Sequence, residues 1–147
     1  VNGRTLLVKV DTVRHFTGLS ADAIYERADG DSLFGGYVWV WNVAADPAAD
    51  QRDLRFWARE VVAPETVKDW TLDRVIKSLL PPKRSQYPAG EIYTTLLSIS
   101  RQSLMRLRGE LNGQLAVGSS FFPREGLETF LRKRWLGSSV QSREVAA

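Results

Sequence analysis

The residues best suited to functional chemistry lie on one side of residues 97–111, where Leu104, Leu107 and Leu111 form an apolar stripe at 100° per residue. Gln102, Met105 and Arg106 project from the opposite side. A glutamine can pair with both hydrogen-bonding groups of adenine, an arginine with those of guanine, and a methionine can pack on a thymine methyl or at a domain edge. Arg101 falls in the first turn, where a cation opposes the helix dipole, and a phosphate there would account for it. Arg108 and Ser119 are further phosphate candidates, with Arg124 and Arg132 outside them. The same spacing also suits a solvated amphipathic helix, so the helix alone leaves both readings open.

Other chemistries find less support. The chain has no cysteine and one histidine, His15, which excludes a disulfide framework, a thiolate zinc site and a histidine cluster. Asp29 and Asp31 flank Gly30 without the further ligands of a calcium loop. Gly35-Gly36 opens a strand rather than a helix and so is no phosphate loop. The expectation is a non-catalytic protein with no catalytic residues, metal or cofactor.

The elements that must position the polar face follow from local signals. Ser100 is a natural helix N-cap. Asn112-Gly113 is a tight-turn signal, and residues 114–117 and 120–122 read as two short strands of a hairpin. Pro123 suits the first turn of a helix through Trp135, with Leu127, Phe130, Leu131 and Trp135 at core spacing. Over residues 91–135 this order resembles the excisionase and MerR-type DNA-binding domains, a winged helix-turn-helix class. The motifs carrying the resemblance are Leu97-Ser-Ile-Ser100, Arg101-Gln-Ser-Leu104, Gly118-Ser-Ser-Phe-Phe122 and Phe130-Leu-Arg-Lys-Arg-Trp135. It implies double-stranded DNA as partner and a transcriptional regulator, or alternatively an excisionase-like factor that bends DNA.

The first half reads as a second copy. Residues 5–10 form a short apolar run, a helix reaches Phe16, Thr17-Gly18-Leu19-Ser20 turns, and a second helix centres on Ile24. Residues 37–43 are the strongest strand, and residues 52–62 show helical spacing at Leu54, Trp57 and Val61. An offset of 80 places Leu19 on Ile99, Ser20 on Ser100 and Ile24 on Leu104; the third helices align at 73, Leu54 and Trp57 on Leu127 and Phe130. The outward positions differ, however. Asp22, Tyr25 and Glu26 stand where the second copy has Gln102, Met105 and Arg106, and carboxylates there repel phosphate. The first copy is therefore assigned to dimerisation or partner binding. Tyr37, Trp39 and Trp41 are its candidate surface, or else that strand face packs into the core. A protein-interaction module without DNA binding is the competing class.

Between the copies, residues 64–80 supply one more helix, beginning near Thr71 and ended by Pro81-Pro82. The expected architecture is α+β, mainly α: two winged helix-turn-helix copies over 1–63 and 89–136, a linker helix with a basic, proline-containing connection over 64–88, and a disordered tail over 137–147. Charge is uneven. Residues 1–80 hold ten Lys and Arg against twelve Asp and Glu, and residues 81–147 hold ten against five, which puts the basic character beside the proposed reading helix. Apolar runs are far shorter than the roughly 20 residues of a membrane span, and the first residues carry no apolar signal region. A soluble cytoplasmic protein is expected.

Overall fold

The computed structural model describes residues 5–29, 39–44, 53–67, 69–80, 84–111, 114–116 and 119–136. Within them the chain is α+β and mainly helical, with seven helices and two small sheets. The first unit runs β1 (Leu7–Lys9), α1 (Val10–Thr17), α2 (Ala21–Asp29), β2 (Val40–Asn42), β3 (Leu54–Trp57) and α3 (Ala58–Val62). A single turn at Pro64–Thr66 leads to α4 (Leu72–Leu79). The second unit repeats the order with β4 (Gln86–Pro88), α5 (Ala89–Glu91) continuing as a π-helical turn over Ile92–Leu96, α6 (Arg101–Leu107), β5 (Gln114–Ala116), β6 (Ser119–Pro123) and α7 (Arg124–Arg134).

Both sheets are antiparallel and in the order first, third, second strand. Even the register repeats. Val8 lies opposite Phe56 as Tyr87 lies opposite Phe122. The turns between the helices match at the offset of 80. Gly18 (φ 74°) and Ser98 (φ 54°) both have left-handed backbone, and the hydroxyls of Ser20 and Ser100 accept from the backbone N–H groups of Ala23 and Ser103. Ile24 and Leu104 are both fully buried behind those caps.

The sequence spacing misplaces several boundaries. Residues 54–57 form a strand, not the start of the third helix, which begins at Ala58. Leu54 and Phe56 enter the first unit's own core while Trp57 enters the other, a period of two that pairing on both sides imposes over the weaker helical spacing. The third helices therefore align at an offset of 66, Ala58 on Arg124, rather than 73. In the same way Pro123 ends β6 and caps α7 from outside it. Gln86–Pro88, read from sequence as part of the connection, pairs with β6 and belongs to the second sheet. The tail, Tyr37, Asn112-Gly113 before the second hairpin and Gly118 at its turn lie outside the described residues, while Ser119 already belongs to β6.

Two cores result. Val8, Val13, Ile24, Val40, Leu54, Phe56 and Val61 pack one face of the first sheet against α1 to α3. The opposite face, with Leu7, Trp39, Trp41 and Trp57, joins the apolar side of α4 and the whole interior of the second unit in one larger cluster. Thr71 caps α4, and Val75, Ile76 and Leu79 fill this seam. Each such side chain removed from water contributes about 1.5–3 kcal/mol, so the two units are bound as one body.

Candidate nucleic-acid interface

α6 is short, and its placement depends on contacts before and behind it. Ser100 accepts from Ser103 N–H at 3.1 Å, while Leu104 and Leu107 are buried. Leu111, one turn on, is fully buried in the segment after the helix. There α7 approaches so closely that a Cβ on Gly126 would stand 2.2 Å from the Leu111 carbonyl oxygen. A glycine inside a helix costs stability; here it admits the neighbouring backbone.

The turn before α6 is gripped by the first unit. Arg55 is buried in β3, and its Nε donates to the carbonyls of Leu97 and Ser98, both at 3.1 Å; its Nη2 donates to Ser98 again at 2.9 Å. Nη1 donates to the Leu54 carbonyl and pairs with Asp53. Ser98 in turn donates its hydroxyl to the Leu7 carbonyl, and Leu6 N–H donates to the Thr95 carbonyl. A guanidinium whose donors meet fixed carbonyls holds its neighbours in one geometry. No helical or motif signal singles out Arg55, because its partners lie more than forty residues away.

On the far side of α6 the polar face is open. Arg101, Gln102 and Arg106 are exposed, Met105 is half-buried, and together they line a shallow depression of about 700 Å³. Four other arginines of the second unit are neutralised: Arg84 by Glu91, Arg124 by Glu128, Arg132 by Asp73 and Arg134 by Glu110. Among the described residues Arg101, Arg106 and Arg108 have no such carboxylate. No family model matches this chain, and no curated protein or solved structure shows significant similarity to it.

The remaining site expectations fare unevenly. Arg124 and Arg132, expected on phosphates, have carboxylate partners within the chain, Arg124 at 3.0 Å from Glu128. Arg108 is half-buried just beyond α6. Ser119 lies in β6, with its side chain outside the described set. The aromatic partner surface is corrected. Trp39 and Trp41 are 0% exposed and stand in the core between the units, Trp39 stacked on Trp135 at 6.2 Å. Asp22 and Glu26, on the outward side of α2, are exposed.

One buried acid was not apparent from the sequence. Glu60 in α3 accepts from the Trp39 backbone N–H, its other carboxylate oxygen has no hydrogen-bond partner among the described residues, and burial pushes its pKa up to about 9 against the lowering effect of that N–H. It ties α3 to the start of β2. Among the described residues no group of three or more His, Cys, Asp or Glu side chains is arranged to hold a metal, and no helix is long and apolar enough to cross a membrane.

Proposed function

We propose that the chain is a sequence-specific DNA-binding protein, a regulator of transcription, in which the second unit is a winged helix-turn-helix and α6 enters the major groove. The observation carrying this reading is the set of exposed Arg101, Gln102 and Arg106 with half-buried Met105 on one side of α6, its arginines without intramolecular carboxylates among the described residues. The repeated strand-helix-helix-strand-strand-helix order supports it, because such a unit presents its second helix to a groove. Gln102 and Arg106 are assigned to base edges and Arg101 and Arg108 to phosphates. Exposed Asp22 and Glu26 set the first unit apart from this role, and its contacts with the turn before α6 make it the support of the reading helix.

Fluorescence anisotropy of the whole chain on random-sequence duplex, across a salt series, tests the reading. Binding with affinity that falls log-linearly with salt is expected, and absence of binding even at low salt would reject it.

A further inference from the structure

The chain covers one sheet face of its first unit with the second unit, whereas the matching face of the second unit keeps Gln86, Pro88 and Phe121 at the surface among the described residues. In the first sheet, Leu7, Arg55 and Trp57 share the face turned to the second unit, and Arg55 there grips the Leu97 and Ser98 carbonyls. The shared register puts Gln86, Phe121 and Pro123 at those positions in the second sheet, with Pro88 across from Phe121. Gln86 and Pro88 are exposed, and Phe121, standing where Arg55 stands, is 38% exposed at the centre of a strand.

The complementary turn of the first unit is exposed at Phe16 and Gly18 among the described residues. The turn held by Arg55 follows Leu96 and Leu97, which are 4% and 1% exposed within the seam. Eighty residues earlier the same turn follows Phe16 and Thr17, and Phe16 is 42% exposed, with His15 edge-on to its ring at 5.4 Å. Singly exposed aromatic residues are ordinary on a surface. These two occupy the two sides of a contact that the chain already makes once within itself.

We infer that a second copy of this chain is the partner of both surfaces: the turn at Phe16 and Gly18 of one molecule seats on the Phe121 face of the next. The Phe16 and Phe121 rings replace the arginine grip with apolar burial. The contact is head-to-tail, so each molecule offers one of each surface and growth continues past the dimer unless a ring closes. This inference does not depend on DNA binding.

Sedimentation velocity of the full chain without DNA, from micromolar to millimolar concentration, tests it with Phe16→Asp and Phe121→Asp. The wild type is expected to form concentration-dependent species larger than a dimer, and each variant alone to stay monomeric. An equimolar mixture of the two is expected to give a 1:1 dimer and nothing larger, since each variant keeps the surface that the other lacks. A monomeric wild type, loss of association in Phe121→Asp but not Phe16→Asp, or a monomeric mixture would overturn the inference. Phe16→Ser and Phe121→Ser serve the same comparison if circular dichroism shows either aspartate variant unfolded.

Discussion

Ser98 turns left-handed, φ 54°, at the backbone point that Gly18 holds with φ 74° in the first unit. A side chain there costs roughly 1–2 kcal/mol relative to glycine. Ser98 meets that cost where its hydroxyl donates to Leu7 and its carbonyl accepts from Arg55, so the strained residue is also the one by which the units hold each other.

Ser98→Ala is expected to destabilise the protein more than Ser98→Gly, by about 1 kcal/mol. Both lose the hydroxyl bond, and glycine alone relieves the backbone. Gly18→Ala is expected to cost about 1 kcal/mol through backbone alone, as a Cβ there meets nothing within 4 Å. Urea unfolding midpoints check all three.

Gly126→Ala is expected to cost about 2 kcal/mol or more, despite the better helix propensity of alanine, because the added Cβ lands on the Leu111 carbonyl and drives α7 away from the segment that follows α6. Chemical denaturation measures the loss. An unchanged midpoint would mean that the two backbones are further apart.

Stability is expected to fall as pH rises between the ordinary Glu value of 4.5 and about 9, because folded Glu60 keeps its proton where the unfolded chain releases it. The contribution is fully present below 4.5 and is lost through the folded value, at a slope of at most about 1.4 kcal/mol per pH unit. Glu60→Gln is expected to flatten this slope and to unfold later than wild type at pH 8. Urea titrations at several pH values compare the two.

Arg106→Ala is expected to weaken binding to a preferred DNA sequence by about 1–3 kcal/mol and to relax the preference, whereas Arg101→Ala weakens all sequences alike and lowers the salt slope by about one. Anisotropy with specific and random duplexes separates them. Equal effects of the two variants on both duplexes would reject the division between base and phosphate contacts.

Local chemistry made much of this fold legible. The serine caps, the threonine cap of α4, the glycine turn and the apolar stripes at Ile24 and Leu104 are short-range features, and they place α2, α4, the end of α1 and the start of α6 within a residue or two, whereas α6 ends at Leu107 instead of running on to Leu111. The exposed face of α6 was legible for the same reason, since it is the remainder of an apolar stripe. Long-range pairing was not. Residues 54–57 carry helical spacing and become a strand because two partners flank them, and Gln86–Pro88 joins a sheet through Phe121, Phe122 and Pro123. Arg55, Glu60 and the burial of Trp39 and Trp41 follow from which unit covers which face, a tertiary choice that no local pattern records.

All five tryptophans of the chain belong to the larger core or its edge: Trp39, Trp41 and Trp57 lie within it, and Trp70 and Trp135 pack against it. The smaller core of the first unit has none. Tryptophan emission thus gauges the seam between the units rather than loosening confined to α1 and α2, where Tyr25 packs on the smaller core. A melting curve followed by tryptophan emission would time the parting of the two halves, and its disagreement with far-ultraviolet dichroism would measure how long the first unit outlives that parting.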